Sequence, residues 1–262
     1  MRGSRVGAYA PWQLRDYLID RGAPTMLVSA LFGYIGIGAM LHGISAAIER
    51  MSPGQLAKYG GAAAARASMV HDLSTGFLEN FLGVVVFLGA LFAMNGIVAN
   101  DRKMGFYRFL FAKPMSPMRY YGQGFLVNWG GYALVITLLA VVYGLLVTPV
   151  ISLTLIGTLA LVYLCYAGIA FALSAAARWD WLSLVTMTVF ATYAWQRWGT
   201  SESRLATLLY LLPPLDRTSK VYHALANGTA PPWNLVAWLA GYGAACWVLG
   251  LLVLRVRRLA IA

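Results

Sequence analysis

The stretch "NDRKMGFYRFLFAKPMSP", residues 100–117, sets Asp101, Arg102, Lys103, Arg108 and Lys113 among Phe106, Tyr107, Phe109, Leu110 and Phe111. These residue types do not make a nucleophile with its base, or a metal-ligand set. Their chemistry is that of contact, because aromatic rings and arginines supply most of the energy in docked protein surfaces. A helix over 101–112 would place Phe106, Phe109 and Leu110 on one face, with Arg102 and Lys103 one turn earlier. Ser116 then caps the following helix, and Pro117 takes its first position. Two readings are open from the residues alone. The helix could lie in lipid headgroups, or it could form a rigid knob, continuous with the flanking segments, that fits a groove on a soluble partner.

Other reactive side chains are few. Glu79 sits near the start of an apolar run, and ionisable groups inside membranes are functional candidates by default. It is the candidate polar residue of a transport path, though it could also reach water or pair with Arg66 or Lys58. His42 lies in an apolar segment, without the G-x-S-G pattern or a second intramembrane histidine. His71 and His223 are expected in loops, so no metal or haem ligand set forms. Cys165 and Cys246 each fall mid-way in an apolar run and read as buried small residues rather than a disulfide or metal pair. No G-x-x-x-x-G-K-[ST] phosphate loop occurs. The chain therefore carries no catalytic residues, binds no cofactor or metal of its own, and is not an enzyme.

The elements that hold these residues are dictated by composition. The chain is 60% hydrophobic and only 11% charged, with a mean hydropathy of +0.67. A soluble domain carries about 25% charged residues. The fold class is an all-α membrane protein, a single transmembrane domain over 1–262. Helices of about 20 residues cross a ~30 Å hydrocarbon core, and six spans are expected, at about 24–48, 77–99, 120–147, 151–177, 181–198 and 233–254. Residues 120–177 carry no formal charge and are too long for one span. Thr148-Pro149 supplies the turn that splits them. "APWQLRDYLIDRGAP" reads as a short amphipathic helix over 10–22 lying on the membrane surface, with Gly22 as its stop and Pro24 beyond. Met1–Gly22 lacks the apolar core of a cleavable signal. Gly33, Gly36, Gly38, Ala39 and Gly43 make span one small-faced and suited to close helix packing, including a dimer contact.

Orientation follows from lysine and arginine. The N-terminus, the 100–119 loop, the 178–180 turn and "RVRR" hold 13 of the 20 basic residues, and only four acids. That side is expected to be cytoplasmic, with both termini on it, in a multi-pass protein of the inner cell membrane. The net charge of +11 is then mainly a topology signal. Basic residues dispersed over short membrane-flanking loops exclude a nucleic-acid partner, leaving membrane lipid and protein.

The segment "DRKMGFYRFLFAKPMSPMRYYGQGF" resembles the permease subunits of type-2 ABC (ATP-binding cassette) exporters. It has an acidic residue, a glycine four positions later, a short amphipathic stretch, and a Pro114-Met115-Ser116-Pro117 step into the next span, like that family's proline–small–serine–proline. "LLPPLDRTSKVYHALANGTAPPWNLVAWLAGYGAACWVLGLLVLRVRR" is similar to that family's outward break and final span. The chain departs from the family where Asp101 replaces the usual glutamate, and where Phe106-Tyr107-Arg108 replaces Thr-Leu-Glu.

The resemblance implies that 101–112 is a coupling helix. Asp101, Arg102, Lys103, Gly105, Phe106, Arg108, Phe109 and Leu110 would meet cytoplasmic ABC ATPase subunits, which carry ATP and magnesium. It also implies a second copy of the chain or a related permease, and export of a substrate. The mostly apolar spans favour an amphiphilic or lipid-like one. Between spans five and six, Leu205–Leu212 is too apolar for an ordinary loop and is broken by Pro213-Pro214. Asp216 or Thr218 can start a second helix. An outward re-entrant hairpin results, which in the resembling family closes the outer end of the path, with Pro213, Pro214 and Asp216 at this gate; a loop lying on the headgroups is the other reading. The competing function is a non-transporting assembly subunit of a larger membrane complex, using the same cytoplasmic knob for docking only.

Overall fold

The computed structural model describes residues 10–94, 97–99, 101, 105, 116–146, 151–176, 181–199, 209, 212–213 and 215–256. Every regular element among them is helical. The order is α1 (Ala10–Asp16), a π-helical turn (Tyr17–Gly22), α2 (Ala23–Glu49), α3 (Pro53–Lys58), α4 (Ala62–Ala93), α5 (Pro117–Leu146), α6 (Leu153–Ala176), α7 (Trp181–Trp198), a 3₁₀ turn (Leu215–Arg217), α8 (Thr218–Ala226) and α9 (Trp233–Val256). Five stretches, Ala10–Glu49, α4, α5, α6 and α9, are long and apolar enough to cross a membrane. The protein is thus a multi-pass membrane protein. α7 matches the expected 181–198, but it falls outside this set. Its 18 residues, Trp181–Trp198, are long enough but not apolar enough, with Gln196 and Arg197 in the last turn.

Helix starts follow local chemistry. The Ser116 hydroxyl accepts the Arg119 N–H at 3.4 Å, and Pro117 follows as expected. Ser152 accepts from Leu155 at 3.0 Å, starting α6 beyond the expected break. Ser52 and Gln55 form a reciprocal capping box on α3.

Two expectations are corrected. Gly22 does not stop a separate surface helix. It is right-handed helical (φ −68°, ψ −45°), and Ala10–Glu49 runs on as one 40-residue helix. The Ala23 N–H bonds back to the Leu18 carbonyl, five residues away. That wider turn accommodates the Pro24 ring, which would otherwise meet a carbonyl of the preceding turn. Span two, in turn, is not confined to 77–99. Alanine-rich residues 62–67 favour helix beyond the bilayer thickness, so α4 begins at Ala62 and ends at Ala93. His71 consequently stands on a helix rather than in a loop.

α6 is the central post. α9 crosses it so closely that a Cβ on Gly168 would strike the Gly243 carbonyl, and one on Gly243 would strike that of Leu164. Backbone contact of this kind replaces the hydrophobic drive that lipid removes. Phe125 of α5 fills the adjoining space between Phe171 and Trp247, both at 5.4 Å. Tyr132 and Tyr163 stack at 3.7 Å, in room left by Gly89. The small face of α2 receives Phe77 at Gly36 and Phe81 at Gly33. Here it serves packing on α4, while Leu27, Leu31, Phe32 and Ile35 stay exposed on other faces.

Candidate functional site

The two ends of the bundle carry the polar contacts of interest. The near end holds Ala93, Asp101 and Pro117; the far end holds Leu146, Leu153 and Gly228.

At the near end, α4 stops at Ala93 and leaves carbonyls without helical partners. The Arg21 guanidinium donates to the Ala93 carbonyl at 2.7 Å, where the helix dipole also favours a cation. The chain then turns through Ile97–Ala99. The N–H groups of Val98 and Ala99 both donate to the Ser174 hydroxyl of α6, at 3.0 and 3.1 Å. Asp101 follows, and its carboxylate accepts the Tyr121 hydroxyl of α5 at 2.9 Å. Gln13 of α1 donates to the Tyr120 carbonyl at 3.4 Å. The Tyr17 ring is buried and occupies the surface opened by Gly131. The turn entering Asp101 is thereby fastened to α5 and α6, and the end of α4 beside it to Arg21.

Burial raises the Asp101 carboxyl above its ordinary 3.8, while the Tyr121 hydrogen bond and the Arg21 guanidinium pull it back down. Asp101, half-buried, is thus tied to α5 through Tyr121. Gly105 has φ +72°, in a turn, with nothing near its missing Cβ. A left-handed residue there interrupts the expected single helix over 101–112. Arg102, Lys103, Phe106, Arg108, Phe109 and Leu110 lie outside the described residues.

At the far end, Glu79 does not pair with Arg66 or Lys58. Its Oε2 is 2.9 Å from His223 Nδ1 on α8. The Asn227 amide completes the set, 3.3 Å from His223 Nε2 and 2.8 Å from the His223 carbonyl to which it donates. His223 therefore sits on a helix rather than in a loop. One turn along α4, Gly83 receives the buried Tyr222 ring, so α8 is seated against α4. Arg217 stacks over Trp195 of α7 at 4.9 Å. Of the expected gate residues, Pro213 is buried, Asp216 belongs to the 3₁₀ turn, and Pro214 lies outside the described residues.

Sequence reasoning missed Arg21, Ser174, Tyr121 and His223. Ser174 stands in "AFALSAAA" with no local hint of a partner, because its contacts are 76 and 75 residues away. The sole signal was its position as a lone hydroxyl near the end of an apolar run. No protein-family model matches the chain, and neither a curated protein nor a solved structure matches it.

Proposed function

We propose that this chain is the membrane-spanning subunit of an ABC exporter, driven by separate cytoplasmic ATPase subunits that bind ATP and magnesium. The observation that carries the reading is the near-end junction. The turn that precedes Asp101 is held through its backbone by Ser174 of α6, and the Asp101 carboxylate is held by Tyr121 of α5. A force applied to Arg102, Lys103, Phe106, Arg108, Phe109 and Leu110 by a moving partner would pass into two spans at once. Gly105 then serves as the bend between anchor and docking surface.

In this reading α7 is the fifth of six spans, and both termini are cytoplasmic in the inner membrane. A second copy, or a related permease, completes the path. The seating of α8 on α4 at Glu79 and Gly83, together with the stacking of Arg217 on α7, supports a re-entrant element closing the far end. The substrate is amphiphilic or lipid-like.

Purification of the intact complex in mild detergent tests this. A stoichiometric soluble protein with a phosphate loop is expected to accompany the chain and to be lost with Phe106→Ala plus Phe109→Ala. Recovery of membrane subunits alone, unchanged by those substitutions, would favour the assembly-subunit function instead.

A further inference from the structure

The far end contains a cleft of about 710 Å³ between α4, the start of α6 and the turn after α8. Among the described residues lining it there is no Asp, Glu, Lys or Arg; the polar lining is hydroxyl, amide and one imidazole, His71. Several of those hydroxyls already have their protons committed. Ser74 and Thr75 both donate to the His71 carbonyl, at 2.9 and 3.0 Å, and Thr229 donates to the Ala224 carbonyl at 3.1 Å. Their oxygens are thereby left to act as acceptors. A lining of hydroxyl, amide and imidazole groups without formal charge suits a ligand rich in O–H groups and carrying no formal charge, since an unpaired ion would lose its hydration there.

The floor of the cleft has a second character. Leu78, Tyr143 and Leu155 line the cleft and also an apolar slot of about 30 Å³ that continues inward between α4, α5 and α6. The slot is walled by Leu82, Val85, Ile136, Leu139 and Ala140 among others. An apolar slot of this kind stays dry and takes hydrocarbon rather than water. At the boundary, the Tyr143 hydroxyl donates to the Ser74 carbonyl at 3.4 Å, leaving its ring toward the slot. Polar chamber and apolar slot thus meet end to end, in the order in which a headgroup meets its chain.

We infer that this is a lipid-binding site within a single copy of the chain, selective for a neutral polyhydroxyl headgroup of the glycosyl or glycerol type. The headgroup occupies the cleft and the first methylenes of the chain enter the slot. Trp233, half exposed at the rim, presents an amphipathic ring at the level where membrane-interface tryptophans lie. The inference goes beyond the transport reading and needs neither an ATPase nor a second copy.

The test uses the full chain in phosphatidylcholine nanodiscs with two photoreactive probes of identical alkyl chain. One carries a glucosyl head and the other a phosphate head, with a diazirine near the head. The glucoside is expected to label slot residues such as Val85 and Ile136, about tenfold over the phosphate probe, the ratio given by 1.4 kcal/mol. Thr154→Lys, at the exposed start of α6, is expected to reverse that preference without altering thermal unfolding. Ala140→Leu should abolish slot labelling, with its unfolding temperature checked alongside. Equal labelling by both probes would overturn the inference, as would labelling confined to lipid-facing Leu134 and Leu138. Competition by free glucose as effective as by octyl glucoside would also overturn it, since the chain would then contribute nothing. Because only this chain is present, a negative result leaves the ATPase reading untouched, and a positive one does not depend on it.

Discussion

Ser174 and Asp101 make the near-end junction a matter of single atoms. The N–H groups of Val98 and Ala99 are buried, and one hydroxyl oxygen accepts both. Removing it in Ser174→Ala strands two donors at about 1–3 kcal/mol for each unsatisfied group. The expected result is a clear fall in unfolding temperature in detergent, with Ser174→Thr retaining most of the stability. Asp101 supplies a pH signature. Its folded carboxyl is raised above 3.8, so in the window just above that value the native state holds more proton than the unfolded chain. Stability must then decline as pH rises from about 4 through the folded pKa. Asp101→Asn should remove that component, which parallel melting curves of the two proteins across pH 4–7 would reveal. A slope unchanged by the substitution would mean that partial burial does not raise this carboxyl.

Among the elements, the α6–α9 crossing is the least tolerant contact, since backbone meets backbone at Gly168 and Gly243. Gly243→Val forces the helices apart and should cost several kcal/mol, by overpacking and by lost neighbouring contacts. Gly241→Ala, two residues away with nothing within 4 Å of its Cβ, should be neutral or slightly stabilising. Folded yield in detergent and thermal unfolding read both. Element starts were legible in the sequence where a cap lies beside its helix, as at Ser116-Pro117, and the break expected at Thr148-Pro149 falls between α5 and α6. Ends were less so. Hydropathy reports bilayer thickness, not where a helix stops, so α4 exceeds its apolar part by fifteen residues, from Ala62 to Phe77. Gly22 and Pro24 carry stop signals that the π-helical turn absorbs. The linking contacts Arg21–Ala93, Ser174–Val98 and Glu79–His223 join residues 72, 76 and 144 apart. Local pattern holds no information about which distant partner a polar side chain will find.

Across the whole molecule, polar contacts concentrate at the two ends and apolar packing fills the middle. At the near end, Val98 and Ala99 are fastened to α6 and Asp101 to α5. At the far end α8 lies on α4, with Glu79, His223 and Asn227 in contact. Because the His223 side chain is 66% exposed, that pair is screened by salt and contributes little to stability. In the proposed function, an outer closure at this contact would open at small cost. The central claim is that a soluble ATPase grips the near end. The most direct measurement places a photocrosslinking residue at position 109, as Phe109→p-benzoylphenylalanine, in native membranes, and identifies the adduct by mass spectrometry. The account predicts one soluble partner bearing a nucleotide-binding phosphate loop, with the crosslink weakened by Arg102→Glu plus Arg108→Glu. Adducts to lipid alone, or to another membrane subunit without such a loop, would contradict it.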